Sequence, residues 1–144
     1  MNGSRNFIVD SNILIYAFDN SQKSKHGNAM QLIQRNFLNP HFFLSIQNLV
    51  EFYSAVTLRI ALPIELKLAA EYVLDFSKAA TILMYSPSTI SRASTLQQHY
   101  SIHFWDALIV ATMLENDIYS IYTENIKDFK KVPGIQVINP FEGK

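Results

Sequence analysis

Acidic residues stand at widely spaced points of this chain where carboxylates can do chemistry: Asp10, Glu51, Asp106, and Glu124 and Asp128 in and after the Thr123-Glu124-Asn125 turn. Asp10 follows Phe7-Ile8-Val9, a run apolar and short enough for a strand buried on both faces. It precedes the helix-like Ile13-Leu14-Ile15-Tyr16-Ala17. In open α/β sheets ligands bind beyond the carboxyl ends of the strands, and an acid at that point looks into the crevice. Asp10-Ser11-Asn12 is also an ordinary way to start a helix. Asp106 is more telling. It lies in the first turn of an otherwise apolar helix, on the side of Ile109, Val110 and Met113. The helix dipole favours an acid there, but Trp105 before it and the apolar run after it describe a helix buried on most sides. A carboxylate in that setting is costly unless a cation or donors meet it. Glu51 shares the flank of an amphipathic helix with Asn48, Ala55 and Arg59, a face that reads either as solvated surface or as the lining of a cleft. The Thr123-Glu124-Asn125 turn, with Asp128 behind it, again brings oxygen ligands to a strand's carboxyl end, although the same residues make a good cap for a short surface helix.

Several carboxylates gathered at one edge repel, so a bare cluster protonates or splays. A divalent cation removes that penalty, and all-oxygen ligation selects a hard ion, Mg²⁺ or Mn²⁺. The histidines, His26, His41, His99 and His103, show no zinc spacing, and there is no cysteine to complete such a site. His103 alone, near the start of the Asp106 helix, is placed to reach the cleft.

The elements that must position these acids alternate between strand and helix. After the first strand and its helix, a polar break at Asp19–Lys23 leads to a helix with Ala29, Met30, Ile33 and Phe37 at amphipathic spacing, ending near Asn39-Pro40. Phe42-Phe43-Leu44 reads as a second strand and Ser45 as the cap of a helix whose stripe is Leu49, Phe52, Tyr53, Val56 and Ile60. Pro63 opens a further helix, expected to turn Leu66, Ala69, Ala70, Val73 and Leu74 inward. A third strand over Thr81–Tyr85 follows, then a helix opened by Ser86-Pro87 and the Asp106 helix. A fourth strand over Ser120–Thr123 and a fifth over Ile135–Ile138, after a Pro133-Gly134 turn, complete the set. Short strands alternating with helices predict an α/β domain with a mostly parallel sheet of four or five strands. The two helices between the second and third strands make a small helical lobe.

With 144 residues, 49% of them apolar and 17% charged, the chain is expected to be one domain over 1–144 with a real core. Twelve basic and twelve acidic residues cancel, so any nucleic-acid footprint must be a local patch. The absence of cysteine removes disulfides, thiolate metal sites and cysteine nucleophiles. The polar start, Met1 to Asn6, lacks the apolar core of a secretory signal, and no apolar run approaches the roughly 18 residues of a membrane span. The expectation is a cytoplasmic protein with no membrane association.

On FIVDSNILIYAF, LSIQNLVEFYSA, FWDALIVATMLEND and YTENIKDF, in that order along the chain, the sequence resembles the PIN-domain family, and most of all its small VapC-type toxin ribonucleases. The resemblance implies a three-layer α/β/α PIN-like domain and a Mg²⁺- or Mn²⁺-dependent endoribonuclease, the toxin of a VapBC-type toxin–antitoxin pair. Asp10, Glu51 and Asp106 match the family's catalytic, metal-binding acids, and Asn12 and Thr123 match supporting positions. Where the family usually carries a fourth acid this chain has Asn125, which can coordinate through its carbonyl oxygen, with Asp128 three residues on as a substitute. The implied reaction is hydrolysis of an RNA phosphodiester by in-line attack of water on phosphorus, leaving a 5′-phosphate, with the ion acidifying the water and neutralising charge. The implied partners are an RNA substrate, a cognate antitoxin protein and a second copy in a homodimer. Candidate phosphate contacts are Arg59, Lys127, Lys130 and Lys131, each of which also reads as an ordinary solvated charge.

The departure at Asn125 keeps a second reading open, a catalytically weakened PIN domain that binds RNA or protein without cutting. An aspartyl-phosphate enzyme built on Asp10 ranks lower, because Asn12 and Asn6 stand where such a site wants further acids.

Overall fold

The structure, a computed structural model, describes residues 5–141; residues 1–4 of the polar start lie outside the described residues. Five strands form one sheet: β1 (Phe7–Val9), β2 (Phe42–Ser45), β3 (Thr81–Leu83), β4 (Ser120–Tyr122) and β5 (Gln136–Ile138). Their order is β3-β2-β1-β4-β5 and every pairing is parallel. The chain therefore builds outward from β1 through β2 and β3, returns, and builds outward the other way through β4 and β5. The reversal lies between β1 and β4, where Ile8 pairs with Ile121 and Val9 with Tyr122. This is the switch point at which open parallel sheets bind ligands.

Alternation along the strands makes the three layers. Val9, Phe42 and Leu44 face one way, onto α1 (Ser11–Tyr16), α2 (Lys23–Asn36), α3 (Ile46–Leu58) and α4 (Leu66–Ala79). Ile8, Leu83 and Ile121 face the other way, onto α5 (Pro87–Tyr100), α6 (Phe104–Glu115) and α7 (Ile126–Phe129). The first core is closed by rings: Phe18, Phe52 and Phe76 meet pairwise at 5.2–5.9 Å between centroids. The second is built on α6, in which every residue from Ala107 to Met113 is buried.

The two helices between β2 and β3 are α3 and α4, and Ala69 and Phe76 of α4 share the first core with Phe52 of α3. The expected inward stripe of α4 needs correcting. Ala69 and Val73 face the core as expected, but Leu66 and Leu74 are 62% and 60% exposed and Ala70 is exposed, and Tyr72 and Phe76 complete the inward face in their place. Likewise α2 stops at Asn36, so Phe37 leaves the stripe as the C-cap residue with φ −57° and ψ 128° and is half exposed. Pro63 precedes α4 rather than opening it, Glu65 being the N-cap. Gly134 takes φ 85°, a left-handed backbone that suits glycine, and turns the chain into β5.

Candidate active site

Asp10 continues the β1 ladder by donating its N–H to the Tyr122 carbonyl at 2.9 Å and then caps α1. Both oxygens of its carboxylate are held. Oδ1 accepts the Ser11 N–H at 2.7 Å; Oδ2 accepts the Thr123 hydroxyl at 2.8 Å and the Asn12 amide at 3.4 Å. Thr123, fully buried at the end of β4, in turn accepts from Asn12 Nδ2 at 3.1 Å and from the Asn125 N–H at 3.0 Å. Asn12 closes the ring by accepting the Glu124 N–H at 3.3 Å. The two strand ends at the switch point are thus tied by side chains, and Asp10 is the group they hold.

Glu51 reaches the same place from α3. Ser45 at the end of β2 caps this helix in a box with Asn48, whose Oδ1 accepts the Ser45 N–H at 2.9 Å. Asn48 Nδ2 donates to Ser11 Oγ at 3.1 Å, and Ser11 Oγ donates to Glu51 Oε1 at 2.5 Å. The other oxygen, Oε2, accepts from Gln47 Nε2 at 3.3 Å. One turn of α1 therefore serves both acids, Ser11 holding Asp10 by its backbone and Glu51 by its side chain.

Asp106 sits in the first turn of α6, where Asn125 Nδ2 donates to its Oδ2 at 3.1 Å. Beside it Asp128, 3% exposed, accepts at one oxygen both the His103 N–H at 2.9 Å and the imidazole Nδ1 at 2.6 Å. Among the described residues, His103, Asp106 and Asp128 form a group whose ligand atoms lie within 4.8 Å of one another.

The electrostatics of the edge are strained. The Asp10 carboxyl is raised to about 6, by burial above all and in small part by the charge of Glu51, against the lowering effect of Thr123 and the Ser11 N–H. Asp106 is pushed up to about 7, by burial first and then by its hydrogen bond with Asp128 and the charges of Asp10 and Asp128. Burial alone would raise Asp128 as well, yet it lies low, at about 2, because the His103 N–H and imidazole and Asp106 bond to it. Among the described residues no lysine or arginine forms an ion pair with Asp10, Glu51 or Asp106. Asp10 and Asp106, raised, mutually repelling and without a lysine or arginine partner, form with Glu51 a donor set that a hard divalent ion fits. Asp106 is common to the compact group and to the charge cluster with Asp10, and the His103 imidazole in that group offsets its rise only in part.

The remaining candidate residues are spread more widely. Asn125 presents its amide nitrogen to Asp106. Lys127 is exposed on α7, two residues beyond Asn125. Lys131 donates to the Ser101 carbonyl at 3.2 Å and lies 4.0 Å from Asp128, while Lys130 borders a hollow with Ile126, Ile135 and Val137. Arg59 is the C-cap of α3; eight residues from Glu51, it lies about 12 Å further along the axis, leading away from the carboxyl edge. Sequence reasoning treated Ser11 only as a helix starter and Asn48 only as a flank residue, and it passed over Gln47. The spacing of Asn48 and Gln47, three and four residues before Glu51, was the available signal, since such residues share a helix face.

A family model described as PIN domain matches residues 7–135 of the chain. A search of curated proteins finds no match. Among solved structures the chain is similar to a toxin–antitoxin complex from Klebsiella pneumoniae, at 25% identity and a TM-score of 0.66, covering 94% of this chain and 98% of that one. It is similar also to VapC20 of Mycobacterium tuberculosis, described as a Sarcin-Ricin loop cleaving toxin, at 18% identity and a TM-score of 0.68 over 87% and 94% of the two chains. A third likeness is to VapBC2 from Rickettsia felis bound to a promoter DNA fragment, at 20% identity and a TM-score of 0.63 over 92% and 97%.

Proposed function

Given that the chain belongs to the PIN domain family, we propose that it is a metal-dependent endoribonuclease acting as the toxin of a VapBC-type toxin–antitoxin pair in the cytoplasm. The observation that carries this reading is the group of acids at the switch point without a lysine or arginine partner among the described residues: Asp10 held by both strand ends, Glu51 tied to it through Ser11, and Asp106 coupled to it by charge. The likeness to toxin–antitoxin complexes and to a toxin that cleaves the Sarcin-Ricin loop supports the substrate class and the antitoxin partner. A homodimer is part of the same proposal. Among the described residues no helix is long and apolar enough to cross a membrane.

In this reading Asp10, Glu51 and Asp106 hold Mg²⁺ or Mn²⁺, and Asn125 or Asp128 completes the shell. The ion, when bound, supplies acidification of water and neutralises charge on the phosphoryl group. Asn12, Thr123 and Ser11 keep the carboxylates oriented with no rearrangement at the moment of reaction, which is where such sites gain most of their rate. Lys127, beside Asn125, is the cation best placed to meet a phosphate of the bound strand; Lys130 and Lys131 extend the same side, and Arg59 serves only a strand long enough to run along α3.

The test is cleavage of a panel of structured RNAs with Mg²⁺ or Mn²⁺ by the wild type, D10N and D106N. The proposal expects cleavage by the wild type, lost in both variants by at least about 100-fold. Equal activity in all three proteins would refute it, and RNA retained without cleavage by the wild type would select the binding-module reading.

A further inference from the structure

Gln47 stands in the first turn of α3, 3% exposed, between Glu51 and the start of α6. Its Nε2 lies 3.3 Å from Glu51 Oε2 and 3.0 Å from the backbone carbonyl of Trp105, the residue before Asp106. Both neighbours accept and neither can donate, so the amide has one orientation open to it. Turned over, its oxygen would face a carboxylate and a carbonyl. In the orientation it keeps, Oε1 is buried with no hydrogen-bond partner among the described residues. An acceptor left in that condition lowers the stability of the fold. A side chain serving packing alone at this position would be better as methionine or leucine, which fill the space and bury no polar atom of their own. The amide is therefore retained for its donor, and the donor joins Glu51 to the helix that carries Asp106.

The opposite oxygen of Glu51 is held by Ser11, itself bonded to Asn48. Glu51 is thus gripped on both oxygens by neutral donors. One leads to the backbone beside Asp10 and the other to the backbone beside Asp106. A neutral grip fixes the carboxylate without cancelling the charge that would attract a cation, as a lysine or arginine would.

We propose that Gln47 is a positioning residue that sets Glu51 relative to Asp106 for divalent-cation binding. The inference rests on the reading of these acids as a metal site, and it adds a residue outside the acids and their supporting positions. It is tested on the full chain by titration calorimetry with Mn²⁺ and by thermal unfolding in EDTA, for the wild type, Gln47→Met and Gln47→Leu. The apolar variants lose the donor and the orphaned oxygen together. They are expected to bind Mn²⁺ at least tenfold more weakly, the usual range for losing a group that orients a metal ligand being about 10–100-fold. Their metal-free melting temperatures are expected to equal or exceed that of the wild type. A wild type that binds Mn²⁺ and variants that bind it equally well overturn the role of Gln47 alone. A lowered melting temperature with unchanged affinity does the same, by making Gln47 a packing residue. A wild type that takes up no Mn²⁺ overturns the metal reading beneath it.

Discussion

Replacing Asp10 by asparagine is expected to stabilise the metal-free protein at neutral pH while removing its response to cations. Asp10 is 5% exposed, and its carboxyl is raised from 3.8 to about 6, by burial above all and by the charge of Glu51. At 1.36 kcal/mol for each pH unit, that difference corresponds to roughly 3 kcal/mol. The sign follows from proton binding: an acid raised on folding holds its proton more tightly in the folded state. Stability is therefore greatest below about pH 4, where the group is protonated in both states, and falls as the pH rises through about 6. Asparagine has no charge to bury. Its oxygen can still accept the Ser11 N–H, but its nitrogen would replace the oxygen facing the Thr123 hydroxyl and the Asn12 amide, a mismatch that returns about 1–2 kcal/mol. A net gain of about 1–2 kcal/mol remains at pH 7.5, or about 3–6 °C in melting temperature for a chain of this size. Thermal unfolding in EDTA between about pH 4 and pH 8 measures it. At the acid end D10N should be the less stable by the mismatch of about 1–2 kcal/mol. The curves should cross as the pH rises towards about 6, and D10N should be the more stable above it. Adding Mn²⁺ should then raise the wild type and leave D10N unmoved. A D10N protein less stable than the wild type at pH 7.5 without metal, or a gap that does not change with pH, would show that the buried charge of Asp10 does not destabilise the metal-free fold.

Two further substitutions test the framework. Ser11→Ala removes the 2.5 Å bond to Glu51 and strands the buried Asn48 amide, and should cost about 1–3 kcal/mol in urea unfolding. Phe52→Ala empties the centre of the ring cluster with Phe18 and Phe76 and should cost about 3–5 kcal/mol, with a lower denaturation midpoint at an unchanged slope.

The strands and the helices that follow them were legible because each signal is local. Phe7-Ile8-Val9 can be a buried strand whatever surrounds it, and Ser45 caps its helix as expected, the reciprocal bond with Asn48 coming in addition. The inward face of α4 is written in its charges rather than its leucines: Lys67, Glu71, Asp75 and Lys78 share one face, so the opposite face, with Ala69, Val73 and Phe76, is the one that packs. Leu66 and Leu74 stay outside, while Phe76 joins the rings of Phe18 and Phe52. The end of α2 escaped because Phe37 continues the spacing while its backbone has already left the helix. At the candidate site, Asp10, Asp106 and Thr123 could be picked out by their places at strand ends and helix starts, whereas Glu51, in the second turn of α3, stood out only through the family resemblance. The hydrogen bonds of Ser11, Gln47 and Asn48 could not, because they depend on how α1 sits against α3 and α3 against the start of α6, and sequence periodicity carries no register between helices. His103 showed only its nearness to Asp106; its pairing with Asp128 crosses 25 residues.

If Asp10, Glu51 and Asp106 share one divalent ion, crystals grown with Mn²⁺ will show it by anomalous diffraction. A peak is expected roughly 2.1 Å from carboxylate oxygens of both Asp10 and Asp106, with Glu51 in the same shell directly or through one water. A peak held by His103 and Asp128 with Asp10 out of reach, or no peak at saturating Mn²⁺, would contradict it.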